Sequence, residues 1–228
     1  MIETSIQDPS AEIQNDAGAF ATMDQMYRFQ RYFYDVTRKY YLLGRDRLID
    51  EMEIYAGDRV LEIGCGTGRN LILLGRKRPE AKLYGLDASS EMLVTAKEKI
   101  AKSGQQIELR TALADNFAFN STFGLEEPFD AVFFSYSISM IATWRESIEN
   151  ALKNLKPGGT LYIVDFYDQK DLPRWFQKVL QSWLRKFHVQ FWHDLIPHFQ
   201  FLATVGLGSF SLGPLYRRYS FIASFKKL

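Results

Sequence analysis

Cysteine is nearly missing from this 228-residue sequence, which has one, Cys65, and only three histidines. A lone thiol excludes an internal disulfide and fits a reducing compartment. His188, His193 and His198 recur every five residues, a spacing that gathers ligands on neither a helix nor a strand, and Pro197 is read as interrupting any helix there. No metal site is expected. Charge of one sign is missing too: 28 Lys and Arg against 27 Asp and Glu leave a formal +1, too little for a nucleic-acid binder that relies on a globally basic surface. No apolar run approaches the ~20 residues that cross a bilayer, and Met1 to Gly18 is acidic and polar, unlike a signal peptide. A cytoplasmic chain is expected, with any membrane contact peripheral.

Hydrophobic residues make up 46% of the chain and aromatics 15%, enough to bury one sizeable core. Residues up to about Ala21 carry few apolar anchors, whereas Met23 to Tyr55 mixes aromatics and charges at helical spacing. Residues 1–55 are therefore read as a tail and a helical lid, and 56–228 as the main domain. From Arg59 short β-rich runs alternate with helical stretches, the pattern of a parallel sheet with crossover helices. Strands are placed at 59–63, 82–87, 107–111, 131–135 and 160–166. Helices fall at 70–76, 90–103 and 144–155, the last stopped by Lys156-Pro157-Gly158-Gly159. After Asp171 an amphipathic stretch, 172–187, leads into a loop region. Two closing strands, 208–212 and 219–225, flank Gly213-Pro214 as an antiparallel hairpin. The fold class is α/β, doubly wound, with helices on both faces of the sheet.

The first strand runs into Gly64-Cys65-Gly66-Thr67-Gly68, where small residues let the backbone turn sharply beneath a ligand with its N–H groups accessible. A dinucleotide fingerprint would need a glycine at 69, where Arg69 stands, and does not expect the acidic Glu62 two residues before the first glycine, so a dehydrogenase is disfavoured. Asp87 ends the next strand, where a carboxylate at the ligand-bearing edge reaches two ribose hydroxyls. Ser89 and Ser90 stand ready to cap the following helix in its place. Glu62 reads either as a ligand-facing acid or as a strand-end carboxylate satisfied by backbone amides, and Cys65 as a small packed thiol.

Glu62-x-Gly64-x-Gly66-x-Gly68, Asp87 closing strand two, Asp115 after strand three and Pro157-Gly158-Gly159 before strand five resemble, in that order, the class I S-adenosylmethionine-dependent methyltransferases. The resemblance implies their Rossmann-like sheet, S-adenosylmethionine as cofactor and S-adenosylhomocysteine as product. By it Gly64, Gly66 and Gly68 approach the methionine part, Asp87 holds the ribose, and Ala88, Met92, Ala114 and Asp115 surround the adenine. Glu62, Cys65, Ser135 and Arg38 complete the expected cofactor set.

Tyr34 to Leu48, dense in aromatics and arginines, reads either as a lid or as a covering helix whose aromatics are core. With Tyr136 to Ile141 and Phe187-His188-Val189 it resembles the diacylglyceryl-homoserine N-methyltransferases of betaine-lipid synthesis. That resemblance implies three successive methyl transfers to a lipid head-group amine, with a 3-amino-3-carboxypropyl transferase as partner enzyme. An amine that loses N–H donors as it is methylated is better held by aromatic faces than by hydrogen-bond acceptors. Tyr34, Tyr41 and Tyr136 are the candidates, Tyr136 against the alternative of a packed ring, and His193 is the candidate proton acceptor. Arg38 and Arg45 are candidate carboxylate ligands, against surface pairing with Asp35 or Asp46. A small-molecule N- or O-methyltransferase and a non-catalytic cofactor-binding module remain open.

Within 172–187, Leu172, Trp175, Phe176, Val179, Leu180, Trp183, Leu184 and Phe187 repeat at three and four, while Arg174, Lys178, Arg185 and Lys186 add charge with no acid between them. That is the composition of a helix lying on an anionic membrane, and equally of a helix packed on a sheet with a solvated basic face.

Overall fold

The computed structural model describes residues 41–185 and 189–228. Tyr34, Arg38, most of the expected lid, and Lys186, Phe187 and His188 lie outside the described residues. In chain order the elements are α1 (Arg45–Glu51), β1 (Arg59–Ile63), α2 (Arg69–Lys77), β2 (Lys82–Asp87), α3 (Ser90–Ser103), β3 (Ile107–Thr111), α4 (Phe119–Phe123) and β4 (Phe129–Ser135). A 3₁₀ turn (Ile138–Met140), α5 (Trp144–Lys153), β5 (Leu155–Phe166), α6 (Arg174–Arg185), α7 (Leu195–Thr204), β6 (Gly208–Leu215) and β7 (Ser220–Lys227) follow.

The seven strands form one sheet in the order β3-β2-β1-β4-β5-β7-β6. Strands β1 to β5 run parallel, and β7 joins β5 antiparallel with β6 outside it. The chain winds outward from β1 to β3 and then crosses to β4 on the other side of β1. That reversal splays the connections apart above the carboxyl ends of β1 and β4, where doubly wound sheets receive ligands.

Side chains alternate across the strands, so two cores form. Val60, Phe133 and Val164 face Leu48, Leu71, Leu93, Leu180 and Leu184 of α1, α2, α3 and α6. Leu61, Ile63, Phe134 and Ile163 face Phe123, Ile148 and Phe199 of α4, α5 and α7. Leu42, Ile49, Met52 and Ile54 belong to the first core, so the segment before β1 is packed onto the sheet.

Three expectations are corrected. The closing hairpin turns at Tyr216, Arg217 and Arg218, all with positive φ, and Gly213 and Pro214 lie inside β6. Arg218 secures the turn by pairing with Asp168 across to the β5–α6 connection, an anchor outside the hairpin's own sequence. The region read as a loop after 187 contains α7, and Pro197 does not interrupt it. It occupies the first turn, where backbone N–H groups have no intrahelical acceptor and proline is tolerated. Strands β4 and β5 begin earlier than expected, because Phe129 pairs with Leu155 before a register shift ahead of Ala131 and Thr160.

Candidate active site

At the reversal, β1 delivers the glycine loop. Gly64 and Cys65 both donate to the Leu86 carbonyl, at 2.8 and 3.0 Å, and Gly68 donates to Cys65 at 2.9 Å, folding the loop back on the end of β2. Gly64, Gly66 and Gly68 have φ of 72°, 53° and 76°, a region that L side chains enter at a cost. Gly64 is constrained twice: a Cβ there would lie 2.5 Å from the Ser137 Cβ. Ser137, just beyond β4, donates from Oγ to the Ile63 carbonyl at 2.8 Å, locking the β4 connection under the loop.

Asp87 accepts from the amide of Gly66 at 2.7 Å and from that of Ser89 at 2.9 Å. Its carboxylate is thus fixed between the glycine loop and the start of α3, while Ser89 caps α3 by accepting from the Met92 amide at 3.3 Å. The cap belongs to Ser89, and Asp87 stands at the carboxyl end of β2. Ala88 follows it, and Met92 is buried in the first turn of α3. Ala114 and Asp115 lie half-buried between β3 and α4, the Ala114 carbonyl held by Asn150 at 3.3 Å.

Glu62 is 1% exposed and is held by Asn70, whose Nδ2 donates to Oε1 at 2.7 Å. Its Oε2 is buried with no hydrogen-bond partner among the described residues. Burial pushes the carboxyl up to about 8, against the lowering effect of Asn70. Among the described residues no backbone amide satisfies Oε2. Cys65 is buried and its Sγ lies 2.9 Å from where Gly85 would carry a Cβ. Burial first, then the nearby Asp87, raises its thiol well above the usual range, as for an inert packed thiol.

On the β4 side Ser135 keeps a buried Oγ without a partner among the described residues. Tyr136 is buried, with its ring edge-on to Phe166 at 4.7 Å and its hydroxyl donating to the Leu43 carbonyl at 2.6 Å. It positions the 41–44 segment, and its hydroxyl is engaged by the chain's own Leu43 carbonyl. Phe166 also packs on Tyr219, whose hydroxyl donates to the Tyr41 carbonyl at 2.8 Å. This aromatic wall leads from the end of β4 to a cleft of about 670 Å³ bordered by Tyr41, Leu43, Phe176, Val179, Trp183 and Tyr219. Tyr41 stands edge-on to Trp183 at 4.6 Å.

The other expected participants are dispersed. His193 is exposed ahead of α7, and His198 packs against Trp144 with ring centroids 5.6 Å apart. The Arg45 Nε donates to the Leu42 carbonyl at 3.2 Å, while Asp46 pairs with Arg69 at 2.6 Å. Among the described residues no three metal-ligating side chains cluster. Sequence reasoning missed Ser137, Asn70 and Asp165. Asp165 is buried at the end of β5, accepts from the Ser139 amide at 3.1 Å, and is raised to about 6 by burial. The one local signal was Asn70, polar beside the buried Leu71 and Leu74.

Residues 61–161 match the family model described as a methyltransferase domain. The chain is similar to carboxy-S-adenosyl-L-methionine synthase of Trichodesmium erythraeum, 40% identical over 111 residues, 46% of this chain and 41% of that protein. It is also similar to 2-phytyl-1,4-naphtoquinone methyltransferase of Nostoc punctiforme, 29% identical over 142 residues, covering 59% of this chain and 60% of the other. The chain thus spans two fifths to three fifths of these relatives. The plantazolicin methyltransferase BpumL, solved with a substrate analogue and S-adenosylhomocysteine, superposes with a TM-score of 0.67 at 13% identity over 94% of this chain and 99% of that one. The fold is the Rossmann-like fold of methyltransferases, and the segment 61–161 that carries the glycine loop is similar to a methyltransferase domain.

Proposed function

We propose that this protein methylates an acceptor carried on an apolar molecule, with the head-group amine of diacylglyceryl-homoserine as acceptor and its trimethylated betaine as product. The observation that carries the proposal is the apolar cleft joined to the end of β4 by Tyr136, Phe166 and Tyr219. S-adenosylmethionine, when bound, supplies an electrophilic methyl group on a sulfonium. The glycine loop leaves room and amides for it, Asp87 stands at the ribose edge, and the unpartnered Oε2 of Glu62 suits a hydrogen-bond donor of the amino-acid part. The chain's contribution is to align the acceptor and exclude water, since such a displacement needs little covalent help from the protein. Among the described residues no charged side chain borders the cleft, so the ring faces of Tyr41, Tyr216 and Tyr219 would receive a growing ammonium.

That uncharged lining also favours a second reading, methylation of a ring carbon on an isoprenoid quinone, the substrate class in the name of the Nostoc relative. Incubating the purified protein with S-adenosylmethionine and diacylglyceryl-homoserine should give products heavier by one, two and three methyl groups in a mass spectrum. A demethylated prenyl naphthoquinone, supplied reduced as its hydroquinone so that the ring carbon is nucleophilic, should stay unchanged. Product from the quinone alone would establish the second reading. Product from neither, by a protein that binds the cofactor, would overturn both and leave a soluble acceptor or a non-catalytic module.

A further inference from the structure

Helix α6 was expected to bury or expose its apolar stripe as a whole, and it does neither. At about 100° per residue, Leu180 and Leu184 share one direction, and both are buried in the first core. Phe176 and Trp183 come next around the helix, half-buried along the cleft. Trp175 and Val179 follow, pointing outward with 69% and 62% of their surface exposed. Arg174, Lys178 and Arg185 lie beyond them, on the side away from the cleft, and all are exposed. The order around the helix is therefore core, cleft wall, exposed apolar stripe and cations.

The cleft opens beside that stripe. Val179 and Tyr216, 52% exposed, both border it, and the exposed Arg217 follows Tyr216 at the hairpin tip. Among the described residues none of Arg174, Lys178, Arg185 or Arg217 is in an ion pair. Of the neighbouring acids, Asp168 is engaged by Arg218 and Lys170, and Asp171 is exposed just before the helix. An aromatic and aliphatic strip flanked by exposed cations complements one surface in particular, the head-group region of an anionic bilayer, where apolar insertion and cationic attraction add.

We propose that this face docks on anionic membranes, with Trp175, Val179 and Tyr216 at head-group depth and the mouth of the cleft opening toward the lipid. The docking stands on exposure and charge alone. Its use, lateral entry of a lipid acceptor, rests on the cleft being the acceptor site. Val179 and Tyr216 belong both to the rim of the cleft and to the strip, so Trp175 and the cations, which do not border the cleft, are what separate docking from acceptor binding.

The full chain should co-sediment with phosphatidylcholine vesicles that contain phosphatidylglycerol far better than with phosphatidylcholine alone. The vesicles carry no methyl acceptor, so failure of the proposed reaction leaves this result untouched. Replacing Arg174, Lys178 and Arg185 together by Gln should weaken that partition on the order of 100-fold, at about fivefold per cation near such a surface, and flatten its salt dependence. Replacing Trp175 by Ser should weaken it roughly tenfold, with cofactor affinity and thermal unfolding unchanged because the side chain is largely in solvent and does not border the cleft. Brominated phosphatidylcholine mixed with phosphatidylglycerol should quench tryptophan fluorescence in the wild type and much less in Trp175→Phe, a variant that keeps the fold. No binding by the wild type, wild-type binding by the charge-neutralised protein, or quenching unchanged in Trp175→Phe would each overturn the proposal.

Discussion

Replacing Gly64 by Ala tests whether the cofactor loop is shaped by its contact with the β4 connection. Two costs are separable. Holding an L residue near φ 72° costs about 1–2 kcal/mol, and placing its Cβ 2.5 Å from the Ser137 Cβ adds about 1–3 kcal/mol of overpacking. If Ser137 yields, its 2.8 Å bond to the Ile63 carbonyl is lost as well, at about 1 kcal/mol. Gly64→Ala should therefore lose roughly 2–5 kcal/mol in urea unfolding. In a Ser137→Gly background the steric part disappears while the backbone part remains, so the two substitutions should couple by about 1–3 kcal/mol in a double-mutant cycle. A single variant within about 0.5 kcal/mol of wild type, or the same loss in both backgrounds, would refute the reasoning.

Asp87→Ala removes the acceptor of two buried amides, those of Gly66 and Ser89, along with the ribose contact proposed for it. Calorimetry should show S-adenosylmethionine bound roughly 10- to 100-fold more weakly, as expected for charged hydrogen bonds, and an unchanged affinity in a folded variant would remove Asp87 from the site. Glu62 gives a pH test: its folded carboxyl titrates at about 8, above the ordinary 4.5. The favoured protonated form stabilises the cofactor-free protein fully below the lower value, and this stability is lost as pH rises through the higher one. Urea midpoints should fall between about pH 5 and pH 8 in the wild type and flatten in Glu62→Gln, while parallel profiles would show that Glu62 does not titrate there.

The cofactor half of the site is legible in the residue order because each of its parts is local. Glu62, the three loop glycines and Asp87 lie at the ends of β1 and β2, whose observed bounds match the expected ones. Alternation, a strand-ending acid and a glycine turn are short-range signals. The proposed acceptor half is legible only in part, since Tyr136 had two readings that the sequence leaves equal. Its hydroxyl partner, the Leu43 carbonyl, is 93 residues away, and no period or spacing reports a contact of that range. The missed helix α7 has a different cause: Pro197 was weighed as a breaker without knowing that it falls in the first turn.

The sequence by itself determined the class of sheet, the glycine loop and the acid that follows it, because strand period, turn chemistry and end-of-strand acids act within a few residues of one another. Only the tertiary structure decided that Ser137 sits beneath Gly64, that Asn70 holds Glu62, and that α6 divides its apolar stripe between core, cleft and open surface. Helical spacing says which side chains share a direction. Which direction faces the sheet is set by the segments packed beside it, here Tyr41, Leu43 and the hairpin at Tyr216, far away along the chain.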